Sequence, residues 1–537
     1  MTAEWAEEKT NNCISLFRNS ERAKISSGYE DISSQSYLIS SGRPAVYQLK
    51  PKVQHIGTLK RLTVGEKKSP ENKTILLVGE TGTGKSTLIN ALVNYTMGVK
   101  FEDEVWFKIV EEEEKSQTES QTPDVIVYDI FGLEDETLPF SLTIIDTPGY
   151  GDTRGNEYDA IINRRLLDLF ESKDGVHEMN AVGLVLKASD NRVSGRMTYI
   201  FDSVMSLFGK DMEKNIIALM THSDGMPPKN ALQALLKTNI KCAKNEKNQP
   251  VHFLFNICQE NQIDEDTKVS LENAWRLTTK GMQQFSEFLE KTGSQELKTT
   301  VDVLKSQIRL TASIHNLQER IKFTEKMKED IEKTQMQLKL HEIQLKNDKN
   351  FIFDSEESFK ELEKYGGGWS WFSYDGVTRC ETCQENCHYP CTDAWAARFC
   401  TVMGTSTCNV CKCSVSQHVK DRHRYVIKTR KVKTTVEELK KKFQANVSDT
   451  SGLLDALDGK KKENEEKIKQ LVEEAFNCVL KLRDSALTVK TMSTQAYLGV
   501  LIKKMREFGK MEEVQILEEM DAQMDEGSKS LLARIFG

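Results

Sequence analysis

The chain has 537 residues with a formal net charge of −7, 29% charged residues of both signs and only 10 prolines, a balance that excludes a disordered chain and favours several folded domains with long solvated helices. Acidic and basic residues are interspersed, so there is no bulk case for nucleic-acid binding, and no apolar run approaches the roughly 20 residues of a membrane helix. Twelve cysteines would suggest disulfides in a short secreted chain, but this one is long and opens on MTAEWAEEKTNNC, without a basic segment and apolar core, so the expected setting is cytoplasmic.

Thr2 stands where a myristoylated glycine would, and the C-terminal RIFG is no prenylation box, so peripheral membrane contact finds no support. Residues 1–45 are polar, punctuated by SSG and SSQS, and are expected to be poorly ordered. Over 46–72, apolar residues alternate around Gly57 (Val53, then Leu59, Leu62 and Val64), which predicts a short β-hairpin leading into the next domain.

From 73 to 292, apolar strands alternate with helical patterns, the signature of an open, mostly parallel α/β sheet with helices on both faces. Strands are expected at Thr74–Val78, Asp124–Asp129, Leu142–Asp146, Ala181–Lys187, Ile216–Thr221 and Val251–Phe255. Helices are expected at Lys85–Met97, Tyr158–Phe170, Val193–Leu207, Ala231–Leu236 and Ser270–Glu290. A polar loop between Phe101 and Pro123, carrying Glu111–Glu114 as a solvated face, is long enough to be functional.

The first strand runs into Gly79-Glu80-Thr81-Gly82-Thr83-Gly84-Lys85-Ser86-Thr87 and then a helix. Glycines let successive backbone N–H groups face phosphate oxygens, the helix start adds a positive end, Lys85 reaches the terminal phosphates, and the Ser86 hydroxyl suits Mg²⁺. Asp146-Thr147-Pro148-Gly149 ends a later strand, where the Asp146 carboxylate can hold the Mg²⁺ shell and the Gly149 N–H can meet a γ-phosphate. Thr118 or Thr122 would complete the Mg²⁺ and γ-phosphate contacts, with Thr118 preferred. Thr221-His222-Ser223-Asp224 follows the strand NIIALM. A carboxylate at Asp224 can accept from the two guanine donors that adenine lacks, and His222 can cover the base.

GETGTGKSTLIN followed by DTPGYGDT resembles the septin pattern, and Thr-His-x-Asp resembles the immunity-associated and chloroplast-import GTPases. Over roughly 73–292 the resemblance implies GTP or GDP with Mg²⁺ bound by these residues, Asn256 in the last base-contacting loop, and pairing of subunits through the nucleotide face. Tyr150 occupies the place of the glutamine that orients water in many fast GTPases, so hydrolysis is expected to be slow or partner-dependent. The rival readings are a non-hydrolysing scaffold with structural nucleotide and an ATP-driven machine, the latter opposed by the second and third motifs.

After Gly293, Leu310, Ile314, Leu317, Ile321, Thr324, Met327, Ile331, Thr334, Leu338, His341 and Leu345 follow steps of four and three, with one phase break at Thr324–Met327. A second such segment includes Val436, Leu439, Phe443, Val447, Leu454, Leu457, Ile468 and Leu471. The expectation is a helical arm over 293–365, a returning arm over 426–537, an antiparallel coiled-coil-like hairpin between them, and a cysteine-rich block, 366–425, at its tip. Self-association through that arm, or capture of an unidentified protein partner, would be its use.

The block holds Cys380, Cys383, Cys387, Cys391, Cys400, Cys408, Cys411 and Cys413, with His388, His418 and His423 nearby. In an intracellular chain such spacings read as zinc, with eight cysteines and a histidine or two suiting two ions; the alternatives are a redox or disulfide cluster and an iron–sulfur centre. The order is not the cross-brace of ubiquitin ligases, so a structural or partner-binding module is preferred, with the GTPase as its regulator in a further rival reading. Trp369, Trp371 and Phe372 are candidates for its small core. The basic run Lys420–Lys431 reads as a solvated face.

Overall fold

The computed structural model describes residues 29–57, 59–66, 71–111, 124–131, 138–148, 156–190, 195–237, 240–259, 261–348, 350–365, 376–391, 396–443, 450–485 and 492–522. The chain divides into two compact units, one reaching from the N-terminus to Val301 and one built from Asp302–Ser485 and Ser493–Gln523.

Among the described residues the first unit opens with α1 (Glu30–Ser34), β1 (Tyr37–Ser40) and β2 (Ala45–Gln48), so regular structure is present before residue 46, contrary to the sequence expectation. β3 (Lys52–Ile56) and β4 (Leu59–Val64) form the expected hairpin, turning at Gly57 with φ 60°. The hairpin is not a separate lead-in, because β4 pairs in parallel with β7 (Ile126–Ile130) and so extends the main sheet. The remaining strands of that sheet are β5 (Asn72–Val78), β8 (Ser141–Asp146), β10 (Ala181–Lys187), β11 (Ile216–Thr221) and β12 (His252–Leu254). Their order is β12-β11-β10-β5-β8-β7-β4-β3. Five neighbours, from β12 to β8, run parallel, and β7 is antiparallel to β8.

The parallel strands are apolar runs because helices cover both faces, leaving no solvated side to alternate toward. Ile75, Leu76, Leu77 and Val78 of β5 are fully buried, as are Ile216, Ile217 and Leu219 of β11. The helices are α2 (Lys85–Thr96), α3 (Asn156–Glu171), α4 (Gly195–Met205), α5 (Lys229–Lys237) and α6 (Lys268–Lys291). On α2, Leu88, Ile89, Leu92 and Val93 face this core at helical spacing. β6 (Val105–Lys108) was not expected from so short a run; it joins β1 and β2 in a small separate sheet. Two further strands, β9 (Glu178–Met179) and β13 (Gln295–Glu296), pair with each other.

The second unit is carried by α7 (Lys298–Leu340), one helix of 43 residues. After α8 (Glu342–Asn347) the chain does not continue as helix to the cysteines. It forms β14 (Phe353–Lys364), paired antiparallel over its whole length with β18 (His423–Thr434), from Phe353↔Thr434 to Lys364↔His423. The helical-arm reading of 350–365 and 426–434 is therefore corrected to a two-stranded ribbon. The ribbon folds back along α7: Ser355 Oγ lies 3.0 Å from Thr334 Oγ1, the Ser358 N–H donates to Asp330 at 2.6 Å, and the Lys360 ammonium sits over the Phe323 ring. Hence the cysteine block is not at the tip of a helical hairpin; it meets α7 near Arg309–Arg320.

Beyond the ribbon come α9 (Val436–Lys442), α10 (Thr450–Ser485), α11 (Met492–Glu507) and α12 (Met511–Ala522). α9 opens on a capping box, Thr435 with Glu438, which satisfies two N-terminal N–H groups reciprocally. Contacts Lys328–Glu465, Glu332–Lys461 and Gln335–Asp458 run in opposite chain directions, so α7 and α10 are antiparallel. Ile331, Leu338 and Leu345 pack with Leu439, Leu453 and Leu457, while Met327 and His341 are only half-buried. Among the described residues no helix is long and apolar enough to cross a membrane.

Candidate functional site

The predicted phosphate loop joins β5 to α2 at the carboxyl ends of the parallel strands, where open α/β sheets bind ligands. Gly84 is the left-handed N-cap of α2, with φ 89°, a conformation a side chain resists. At Gly79 the constraint is space, since a Cβ there would meet the Val185 carbonyl of β10 at 2.4 Å. A Cβ at Gly82 would meet nothing within 4 Å, so that side of the loop stays open to a ligand. The Glu80 carbonyl accepts from the Thr83 N–H at 3.2 Å and the Thr83 hydroxyl at 2.8 Å, closing the turn around Thr81.

Lys85 is only 8% exposed, and its ammonium donates to the Gly79 carbonyl at 2.6 Å across the loop. Burial pushes this ammonium below its ordinary range, against the opposing pull of Asp146 and Glu80. Ser86 and Thr87 stand half-buried on the first turn of α2. Asp146 is fully buried at the end of β8, in register with Leu77 of β5, and the Thr147 hydroxyl donates to the Leu77 carbonyl at 3.0 Å. The Ser86 hydroxyl and the Asp146 carboxylate are hard oxygen donors, the set Mg²⁺ takes beside a polyphosphate. Thr118, Thr122, Gly149 and Tyr150 lie outside the described residues, as do 112–114 of the acidic stretch.

The segment expected to bind the base follows β11, and its loop meets the end of β12: the Ser223 N–H donates to the Phe255 carbonyl at 3.0 Å. Asp224 is exposed, its carboxylate held by the Met226 N–H at 2.9 Å. His222 has φ 53° and is largely exposed, its imidazole kept below the ordinary range by partial desolvation and by Lys187. Asn256 is held through its backbone, which both donates to and accepts from the Thr278 hydroxyl. Its side chain accepts from the Cys258 thiol.

Thr221, counted from its motif among the nucleotide-binding residues, is 2% exposed and its hydroxyl donates to the Thr83 carbonyl at 2.6 Å, so it braces the phosphate loop from below. Sequence reasoning also missed Asn90 and Asn94 on the buried face of α2. Asn94 pairs with both the N–H and the carbonyl of Phe107, and Asn90 accepts from the N–H groups of Ile109 and Val110. They satisfy the free edge of β6 and so tie the helix after the phosphate loop to that strand. Two asparagines one turn apart in an otherwise apolar helix were the available signal.

The cysteine block is a separate cluster in the second unit. β15 (Gly376–Cys380), β16 (Glu385–Cys391) and β17 (His418–Asp421) form a small sheet. Its core is largely cysteine: Cys380, Cys387, Cys391, Cys400 and Cys408 are buried with Val402, Met403, Val410 and Ala312 of α7. Three groups of donors converge: Cys380, Cys383, Cys411 and Cys413; Cys387, Cys408, Cys411 and His418; and His388, Cys391 and Cys400. His423 is not among them; it starts β18 with its imidazole 3.5 Å from Asp421. Sequence proximity alone had suggested it. Trp369, Trp371 and Phe372 lie outside the described residues. The basic run faces glutamates on the partner strand, Arg430 with Glu357 and Lys428 with Glu361 and Glu363.

Residues 71–276 match the family model described as Septin. Septin-5 of Homo sapiens is 27% identical over 168 residues, 29% of this chain and 41% of that protein. Septin-4 of Rattus norvegicus is 27% identical over 171 residues, 29% of this chain and 33% of that protein. The chain thus spans less than half the length of these curated relatives. Among solved structures, Toc33 from Arabidopsis thaliana in complex with Mg²⁺ and GMPPNP overlaps 42% of this chain and 87% of its own, at 14% identity and a TM-score of 0.29.

Proposed function

We propose that this septin-like P-loop GTPase domain binds GTP or GDP with Mg²⁺ and acts as a slow, self-association-dependent switch. The observation that carries the reading is spatial. The phosphate loop, the buried Asp146 and the Ser223–Asp224 loop stand at the carboxyl ends of β5, β8 and β11, parallel strands of one sheet with β10 between β5 and β11, and all three lie within the septin-like stretch.

In this reading the open side of Gly82 and the start of α2 receive the polyphosphate, and the Lys85 ammonium transfers its hydrogen bonds from the Gly79 carbonyl to phosphate oxygens. Mg²⁺ would neutralise phosphate charge, with Ser86 and Asp146 as its protein side. Asp224, placed by the Met226 N–H, accepts from the two guanine donors, and the exposed His222 ring lies beside the base. Asn94 carries the state of α2 to β6. Pairing through the nucleotide face, which the septin resemblance implies, would supply the group that orients water. The second reading, a scaffold that keeps its nucleotide unhydrolysed, is favoured by Tyr150 in the sequence.

The test is bound-nucleotide identity and phosphate release for the purified chain, Lys85→Ala and Asp224→Asn. Guanine nucleotide in the wild type, its loss in Lys85→Ala and relaxed base preference in Asp224→Asn are expected. Release per subunit should rise with protein concentration. Retained GTP without release selects the scaffold; adenine nucleotide, or none, overturns both.

A further inference from the structure

We propose that the cysteine module holds a two-zinc cluster in which the Cys411 thiolate bridges the ions, one in a four-sulfur site and the other in a three-sulfur, one-imidazole site. Cys380, Cys383, Cys413 and Cys411 bind the first; Cys387, Cys408, His418 and the same Cys411 bind the second. Seven side chains fill eight coordination positions because Cys411 belongs to both groups.

The geometry fits the metal. Within each group the donor atoms lie within 4.8 Å of one another. A tetrahedron of ~2.3 Å zinc–sulfur bonds has donor separations of about 3.8 Å, so each group can close without moving the backbone. Two sites that need eight monodentate ligands and have seven can both be completed only by sharing one. Cys411 is the residue that both groups contain.

Surrounding contacts orient the donors as zinc ligands are oriented. The His418 Nδ1 lies 2.9 Å from the Ser414 carbonyl, which can only accept, so the proton sits on Nδ1 and the Nε2 lone pair faces Cys411 Sγ at 3.2 Å. That arrangement, a carbonyl fixing the tautomer behind a ligating nitrogen, is how zinc-bound histidines are held. The Val410 N–H donates to Cys408 Sγ at 3.4 Å, a bond that favours thiolate over thiol. Gln384 and Lys412 adopt positive φ, 53° and 68°, turning the chain sharply just after Cys383 and between Cys411 and Cys413. Non-glycine residues are rarely found there, and both positions serve to aim neighbouring sulfurs inward.

Among its described residues the apolar complement to the cysteines is small. Val377, Ala397, Val402, Met403 and Val410 are buried there, with Ala312 of α7 packed against the cysteine cluster. On the α7 side the attachment is polar: Asn316 donates to Glu385 and to the Asn386 carbonyl, and Asn386 donates to Glu319. The cluster's role is therefore to fix β15, β16 and β17 as a rigid plate on α7 and to clamp the end of the ribbon. The inference is independent of the nucleotide reading.

His388, Cys391 and Cys400 form a third group that shares no residue with the cluster, so Cys391→Ala removes it from the metal count. The full chain, refilled with zinc and desalted, should carry two zinc ions per molecule in the Cys391→Ala variant. Cadmium-loaded wild-type protein, which needs no substitution, should show two cadmium NMR resonances split by mutual coupling through the shared sulfur. One should have the shift of a four-sulfur site and the other that of three sulfurs and a nitrogen. Cys411→Ser should speed chelator release of both ions by more than the ~10–100-fold typical of losing an outer-shell partner, whereas Cys413→Ser should speed one. Fewer than two zinc ions per chain, uncoupled resonances from these sites, or the same sulfurs recovered as disulfides would overturn the proposal.

Discussion

The nucleotide domain and the cysteine module solve the same problem of holding backbone loops still, with different forces. In the first, Ile75, Leu77, Leu88, Ile89, Ile144 and Leu219 make an aliphatic core, and the residues that would touch a ligand stand at its edge. In the second, the residues that would touch a ligand are the core. A substitution at the edge of the first can remove function and leave the fold. In the second the two cannot be separated. Breaking each region where it is weakest sharpens that contrast.

The largest effect is expected in the module. Structural zinc contributes on the order of 10 kcal/mol per site, so two sites outweigh the roughly 1.5–3 kcal/mol that each of Val377, Val402, Met403 and Val410 contributes by burial. Stripping the metal with a strong chelator, or Cys408→Ala, should open residues 376–421 to proteases. Amide exchange in β5, β8 and β10 should be unaffected. Equal loosening of both regions would mean that one cooperative core holds both. Acid should act in the same direction: protons compete with zinc for the thiolates and the imidazole, so metal content falls as pH drops, not as it rises.

In the nucleotide domain the most damaging single change should be a polar one. Asn94→Ala leaves the buried N–H and carbonyl of Phe107 without their partners. At about 1–3 kcal/mol for each orphaned group, the expected cost is roughly 2–6 kcal/mol, read by denaturant unfolding. Thr221→Val keeps the shape and removes the 2.6 Å bond to the Thr83 carbonyl. It should cost about 1 kcal/mol in stability and weaken nucleotide binding by a comparable amount, since the phosphate loop loses its brace. An unchanged affinity in Thr221→Val would return Thr221 to an ordinary core residue.

What the sequence disclosed follows the same division. Ala181–Lys187 and Ile216–Thr221 were legible to the residue because a strand buried on both faces is an unbroken apolar run bounded by polar residues. The phosphate loop was legible because its glycines answer local backbone demands. The ribbon was not. β14 reads FDSEESFKELEK, charged residues at spacings a helix tolerates, and nothing within it shows that its partner is β18. Cysteine pairs close in sequence, Cys380 with Cys383 and Cys411 with Cys413, showed their chemistry. Grouping Cys387 with Cys408 and His418 depends on how β15, β16 and β17 meet, a long-range fact that spacing cannot carry. The bracing role of Thr221 was hidden for the opposite reason: the motif names the loop, but burial decides which of its side chains face in.

The smallest effect tests whether the ribbon adds anything of its own to the module it supports. Arg430 is 60% exposed and donates to Glu357 at 2.8 Å; Lys442 shares the same carboxylate at 2.9 Å. The two hydrogen bonds from Lys442 and Arg430 hold Glu357 below the ordinary carboxylate range despite some desolvation. An exposed pair of this kind is worth about 0–1 kcal/mol and is screened by salt. Arg430→Ala should therefore shift unfolding by less than 1 kcal/mol, with the difference vanishing in high salt, and should leave zinc content unchanged. The lowered Glu357 sets the pH sense of what little is lost: its contribution is present above the usual glutamate range and disappears as pH falls through its depressed value. A larger loss, or release of zinc, would show that the strand pairing holds the donors in place. The module's rigidity would then come from the long-range ribbon and not from the metal-centred core.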